Sequence, residues 1–203
     1  MLSLIIHNTD SFIASVPKLK RKKYGQFFTN MATANFMASL FCFDLTKPEL
    51  HLLDAGAGTG ILSAAVIDKL IQSGYKGRIY LTCYETDELV LPLLKSNLDL
   101  AKKECGINYE IIQDNYLTSQ LFEDNSLFSD NARFYDYIIG NPPYLKIPKE
   151  AKEAKAMPSV CYGAPNLYFL FWAMGIHNLK QDSELVYIVP RSWTSGAYFK
   201  RFR

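Results

Sequence analysis

Short apolar runs alternate with stretches of helical periodicity along this chain, and that alternation restricts the fold more than any other feature. Leu50 to Ala55 reads as a strand ending at glycines. Thr59 to Gln72 then repeats Ile61, Leu62, Ala65, Val66 and Leu70 at helical spacing and stops at Ser73-Gly74. Arg78 to Tyr84 is a second strand, and Asp87 to Glu104 a second helix stopped by Cys105-Gly106. Tyr109 to Gln113 and Asp136 to Gly140 are further strands, Leu167 to Leu179 is an apolar helix, and Glu184 to Val189 is a fifth strand closed by Pro190. Strands of this kind are buried on both faces, which requires helices on both sides of a mostly parallel sheet. The expected fold class is α/β, doubly wound, and ligands in that architecture bind beyond the carboxyl ends of the strands.

Length and composition permit one well-buried domain and require no second one: 203 residues, 49% apolar, 21% charged. A net charge of +2 gives no whole-molecule argument for a nucleic-acid partner, although Lys18 and Lys20 to Lys23 cluster near the start and Lys200, Arg201 and Arg203 at the end. Cys42, Cys83, Cys105 and Cys161 are far apart, as are His7, His51 and His177, so neither a metal site nor a disulfide framework is expected. The first residues lack a basic leader, and no apolar stretch has the length of a membrane span. The expected location is the cytoplasm, with no membrane partner.

After the first strand, Gly56, Gly58 and Gly60 permit a tight turn and close approach of backbone to a ligand. The spacing differs from that of dinucleotide sites and no Walker lysine follows, which argues against a pyrophosphate or ATP. The second strand ends in Tyr84-Glu85-Thr86-Asp87. A carboxylate there can accept from both ribose hydroxyls of a nucleotide, while Thr86 or Asp87 can cap the next helix. The third strand ends in Asp114-Asn115-Tyr116, where an Asp can accept from an adenine amino group or an Asp-Asn pair can form a turn. The fourth strand ends in Asn141-Pro142-Pro143-Tyr144. An amide, two prolines and an aromatic ring at a strand end suit a planar ring that carries an amino group, and they also suit a proline turn.

Taken in order, Asp54 to Gly60, Glu85, Asp114 and Asn141 to Tyr144 resemble the S-adenosylmethionine-dependent N6-adenine DNA methyltransferases of restriction-modification systems. The upstream Tyr24 to Asn30 resembles the segment that precedes the glycine loop in their gamma class, with Asn30 where the common form has Pro. The resemblance covers roughly residues 24 to 190, and it implies a Rossmann-like methyltransferase fold. It also implies S-adenosylmethionine as cofactor, bound by Thr29, Asp54, Ala55, Gly56, Gly58, Gly60, Glu85, Thr86, Asp114, Asn115 and Tyr116. Catalysis falls to Asn141, Pro142, Pro143 and Tyr144, and no metal is implied. The Asn141 oxygen and the Pro142 carbonyl would accept from a conjugated amine and localise its lone pair toward the methyl group. Tyr144 would stack on a target base flipped out of the duplex.

The expected organisation is a single catalytic domain over residues 1–203, with 1–45 as a helical segment packing on it. Tyr198 to Arg203 reads as a basic helix, and no C-terminal target-recognition domain is expected. The expected partner is double-stranded DNA, with a recognition domain or subunit and a cognate restriction endonuclease supplied elsewhere. The tetrapeptide equally suits the amide of a protein glutamine or the amino group of an rRNA guanine, and a non-catalytic subunit of a restriction-modification complex would keep the same fold. Lys146 to Ala164, rich in Lys, Pro and Ala, reads as a lid.

Overall fold

A computed structural model describes residues 1–18, 28–120, 133–161 and 165–194. Most of Tyr24 to Asn30, the Lys20 to Lys23 cluster and Tyr198 to Arg203 lie outside the described residues.

The element order is α1 (Leu2–Ser15), α2 (Met31–Ser39), β1 (Glu49–Ala55), α3 (Ile61–Gln72), β2 (Arg78–Tyr84), α4 (Leu91–Cys105), β3 (Asn108–Ile112), β4 (Tyr135–Gly140), α5 (Lys152–Ala156), α6 (Leu167–His177) and β5 (Leu179–Tyr187). A short 3-10 turn, Arg191–Thr194, closes the described chain. The strands form one sheet in the order β3-β2-β1-β4-β5, with every pair parallel. The order reverses between β1 and β4, which makes their carboxyl ends the switch point where a crevice opens in doubly wound sheets.

Side chains alternate across the sheet, so each strand feeds two cores. Leu50 and Leu52 of β1, Ile79, Leu81 and Cys83 of β2, and Tyr137 and Ile139 of β4 pack under α1 to α4. Leu53, Ala55 and Ile138 face the other way, against Tyr168, Phe169, Leu170 and Met174 of α6. Every residue of β4 is buried. Asp136 is the one charge within it, and it accepts from Lys47 Nζ at 2.7 Å, Lys180 Nζ at 2.8 Å and the His51 N–H at 2.8 Å. Burial alone would raise this carboxyl, but the bonds from Lys180, Lys47 and His51 outweigh it and hold Asp136 below its ordinary value.

Helix ends follow local chemistry. Asn30, the residue standing where the resembled segment has Pro, is the N-cap of α2, and its side chain accepts from the Thr33 N–H at 2.9 Å. At the end of α3, the Tyr75 N–H reaches the Leu70 carbonyl and the Gly74 N–H the Ile71 carbonyl, with Gly74 at φ 85°.

The described residues of Lys146 to Ala164, expected as a lid, are joined to the rest of the fold by backbone bonds and apolar packing. Lys146 bridges antiparallel to Asn166, the Ile147 N–H donates to the Pro165 carbonyl at 2.8 Å, and the Leu167 N–H to the Leu145 carbonyl at 2.8 Å. Ala154, Ala156 and Met157 are buried in the α6 core. This apolar anchorage follows from the small residues between the lysines, which fit against α6 while the charged chains point out.

Candidate active site

A cavity of about 250 Å³ opens at the carboxyl ends of β1 and β4. It is lined from four sides: the glycine loop, the β2 end, the β3 end and the tetrapeptide after β4.

The loop turns back on β2, where the Gly56 and Ala57 N–H groups both donate to the Tyr84 carbonyl at 2.9 Å. Gly56 (φ 75°) and Gly58 (φ 56°) occupy the left-handed region, which only glycine adopts at little cost. A Cβ on either would meet the Phe171 or Phe28 ring only at ordinary contact distance, so substitution is opposed by the backbone conformation rather than by space. Both glycines line the cavity.

Asp54, Ala55 and Gly60 are sequence-predicted cofactor residues that the structure does not bring to the cavity wall. Ala55 is fully buried in the α6 core, and Gly60 is the N-cap of α3, facing Leu94. Asp54 is fully buried behind the loop, where its Oδ2 accepts from the Ser63 hydroxyl at 2.6 Å and the Ser63 N–H at 3.2 Å. It thus holds the first turn of α3. Burial pushes the Asp54 carboxyl up to about 7 despite these two bonds, and its Oδ1 is buried without a hydrogen-bond partner.

Glu85 lines the cavity and is nearly buried. Its Oε2 accepts from the Gly58 N–H at 2.8 Å, and its Oε1 accepts from the Thr86 and Asp87 N–H groups, each at 2.8 Å. Burial raises its pKa against the pull of these backbone bonds. One carboxylate therefore ties the glycine loop to the β2 end and meets the cavity at their junction. Thr86 lines the cavity as well. Asp87 accepts from the Leu89 N–H at 3.0 Å and its carbonyl receives Val90 and Leu91, so it starts the turn into α4.

Asp114, Asn115 and Tyr116 all border the cavity. Asn115 takes the turn role left open by its sequence: its Oδ1 accepts from the Leu117 N–H at 2.9 Å, and its Nδ2 donates to Glu153 at 3.0 Å on α5. Tyr116 is buried, with its ring edge toward Tyr84 and its hydroxyl on Asn178 at 2.7 Å.

In the tetrapeptide, Asn141 and Pro143 line the cavity, whereas Pro142 is buried and Tyr144 stands behind Asn141. Asn141 Nδ2 donates to Thr29 Oγ1 at 3.3 Å, and the Tyr144 hydroxyl lies 2.7 Å from Asn141 Oδ1. Thr29, more than a hundred positions upstream, thus sets which way the amide faces. The Tyr144 hydroxyl is also 3.0 Å from the Ile188 carbonyl, and burial pushes its pKa up to about 12.

Further lining residues were not singled out by sequence reasoning: Ala57, Thr59, Ile61, Leu62, Tyr84, Leu145, Leu167 and Phe171. Most are apolar residues that look like core in a linear sequence. Ala57, Thr59, Ile61, Leu62 and Leu145 follow strand ends closely, which is the signal that could have found them, whereas Tyr84 closes β2 and Leu167 and Phe171 are brought in by α6. Among the described residues, no group of three or more His, Cys, Asp or Glu could hold a metal ion, and no helix is long and apolar enough to cross a membrane.

Residues 19–203 match a protein family described as Eco57I restriction-modification methylase. The type II methyltransferase M.BsuBI of Bacillus subtilis is 36% identical over 191 residues, covering 92% of this chain and 38% of that protein. The type II methyltransferase M.PstI of Providencia stuartii is 38% identical over 188 residues, covering 90% of this chain and 36% of that protein. The chain therefore spans less than two fifths of the length of these relatives. Among solved structures, a type I restriction-modification system methyltransferase subunit from Streptococcus thermophilus superposes with a TM-score of 0.61 at 19% identity, over 86% of this chain and 37% of that one. That likeness shows the fold.

Proposed function

Because the chain belongs to the Eco57I restriction-modification methylase family, we propose that it transfers a methyl group from S-adenosylmethionine to the N6 amine of an adenine in double-stranded DNA. The observation that carries this reading is the cavity shared by the glycine loop, Glu85 and the Asn141-Pro142-Pro143-Tyr144 turn, at the switch point of the sheet.

The residues fit a nucleoside-bearing cofactor. Gly56 and Gly58 leave backbone open to close approach, Glu85 offers carboxylate oxygens to ribose hydroxyls, and Asp114 offers an acceptor for an adenine amino group. Of the other expected residues, Thr29, Thr86, Asn115 and Tyr116 also line the cavity. When bound, S-adenosylmethionine supplies an electrophilic methyl group on a sulfonium.

The chain's own part is to orient the acceptor. The Asn141 side-chain oxygen and the Pro142 carbonyl accept from the exocyclic amine and localise its lone pair. The next proline favours an extended backbone at Pro142 and aims that carbonyl. The Tyr144 hydroxyl has a second acceptor in the Ile188 carbonyl. It can move there when the amine takes the Asn141 oxygen. The C–S bond that breaks would leave a neutral thioether, and the methylated nitrogen would give up its surplus proton to water, so positioning and fixed dipoles supply the catalysis without a general base.

A nucleic-acid acceptor is favoured by the rim. Leu145 lines the cavity, and exposed Lys146, Lys149, Lys152 and Lys155 follow it at intervals of three on an anchored segment. Lysines so held beside a base pocket suit the phosphates that flank a flipped nucleotide. Choice of the target sequence is assigned to a recognition domain or subunit outside these residues, and a cognate restriction endonuclease is the expected biological partner.

The test is to incubate the chain with isotopically labelled S-adenosylmethionine and, separately, duplex DNA, RNA and a protein mixture. Digestion and mass spectrometry then locate the label. Slow, sequence-indifferent N6-methyladenine in DNA is expected. Label found only in RNA or protein would overturn the DNA reading, and site-specific methylation by this chain would overturn the outside recognition element.

A further inference from the structure

The family match begins at residue 19, yet the helix before it reaches the cavity wall at two places. Thr9 of α1 is fully buried, and its hydroxyl lies 2.8 Å from the Ile5 carbonyl and 2.9 Å from the Thr59 hydroxyl. A hydroxyl has one proton to give. With Thr9's spent on Ile5, Thr59 donates to Thr9, and the Thr59 side chain is held in one orientation. One residue earlier, Asn8 Nδ2 donates to Asn97 Oδ1 at 3.1 Å, and Asn97 Nδ2 donates to the Thr59 carbonyl at 2.9 Å. Thr59 is thus gripped at its side chain by Thr9 and at its carbonyl through Asn97. One turn along α1, the Phe12 ring meets Phe28 edge-on, with centroids 6.4 Å apart. Thr59 and Phe28 both line the cavity.

Thr59 is flanked by Gly58 at φ 56° and Gly60 at φ 82°. Glycines lose more backbone freedom on ordering than any other residue, so a Gly-Thr-Gly loop depends on whatever grips its one side chain. The loop backbone is also held by Glu85 on the Gly58 N–H and by the Gly60 N–H on the Ala57 carbonyl at 2.9 Å, while Thr59 itself is held by α1 and by the asparagine α1 holds.

We propose that α1 is a working part of the cofactor site: Thr9 and Asn8 are positioning residues that keep the glycine loop in its receptive shape. The identity of the ligand rests on the methyltransferase reading above; the bracing of the loop does not. The Leu2 N–H of α1 goes to Asp68 on α3, whereas Thr9 directly and Asn8 through Asn97 converge on Thr59 of the loop.

The variants are Thr9→Val, which keeps the shape and removes the hydroxyl, Thr9→Ser, which restores it, and Asn8→Ala. Without any cofactor, hydrogen exchange at the Gly58 to Gly60 amides should quicken in Thr9→Val and return toward wild type in Thr9→Ser. With S-adenosylmethionine, calorimetry should show affinity weakened about fivefold by Thr9→Val, more when Asn8→Ala is added, and recovered in Thr9→Ser. In turnover, the cofactor KM should rise more than kcat falls. Unchanged loop exchange and unchanged affinity in both variants overturn the proposal. A wild-type chain that fails to bind S-adenosylmethionine overturns the methyltransferase reading instead, and the exchange experiment still decides the role of α1. If Thr9→Val does not fold, Asn8→Ala, at a half-buried position, carries the same two measurements.

Discussion

The Tyr144 hydroxyl lies 2.7 Å from the Asn141 side-chain oxygen, so the aromatic ring and the amide of the tetrapeptide are tied together before any acceptor arrives. Thr29 receives the other end of the same amide. The amide proposed to receive the acceptor amine is oriented from both sides by hydroxyl groups.

Tyr144→Phe keeps the ring and removes the tether. Steady-state kinetics should show kcat reduced about tenfold, while calorimetry shows S-adenosylmethionine affinity within about twofold of wild type, since one hydrogen bond to a positioned group is removed. Asn141→Ala should reduce methyl transfer by about a thousandfold or more with the cofactor still bound. Turnover preserved in Asn141→Ala would refute its role at the amine.

Glu85→Gln puts an amide where three backbone N–H groups now meet a carboxylate. One side of the new amide is a donor facing donors. Cofactor affinity should fall about tenfold to a hundredfold, with the melting temperature lowered as well. Affinity equal to wild type would exclude Glu85 from the cofactor site.

Asp54 makes stability depend on pH. Its folded-state pKa, about 7, stands above the ordinary value of 3.8 because the group is fully buried. Between those values the folded protein holds a proton that the unfolded chain has released, so this group's contribution falls as pH rises through the window and is constant above it. Asp54→Asn removes the titration and leaves an oxygen for Ser63. Urea unfolding should show the variant gaining on wild type by about 3 kcal/mol between about pH 5 and pH 8. A constant difference across that range would contradict the raised value.

Replacing Lys146, Lys149, Lys152 and Lys155 together by Gln should flatten the salt dependence of duplex binding. Each phosphate left without its lysine reduces the slope of log K against log salt by about 0.9. Fluorescence anisotropy between about 50 and 200 mM salt measures it, with cofactor affinity as the control. An unaltered slope would remove these lysines from the nucleic-acid surface.

Much of the architecture was legible from apolar runs and their glycine or proline stops: β1 to β4, α3, α4 and α6 lie within a few residues of their expected limits. The start of β5 was missed because Lys180, Gln181 and Asp182 look like a loop; Asp182 is indeed at φ 58°, and the pairing with β4 shifts there. Helix α1 falls within the helical segment expected over 1–45, but its limits are not legible because His7, Asn8, Thr9 and Asp10 interrupt its apolar face, and Thr9 is buried through hydrogen bonds that spacing does not reveal. α5 has five residues, too few for periodicity to register. Asp54 was expected at the ligand because a motif carries no record of strand facing. It shares a side with Leu52 and points at Ser63, so it serves the helix behind the loop. Glu85, Asp114 and Asn141 lie at strand ends, where position in sequence and position at the crevice coincide.

The paired segments Leu145 to Ile147 and Pro165 to Leu167 form a closed neck at the base of the lysine-bearing stretch. The tetrapeptide and the start of α6 are fastened to each other there, and Ala154, Ala156 and Met157 fasten the lysine-bearing stretch to the α6 core. The lysines are thus carried beside Asn141 by packed scaffold, so a substitution in that apolar seam would shift the charged row and the cavity rim together.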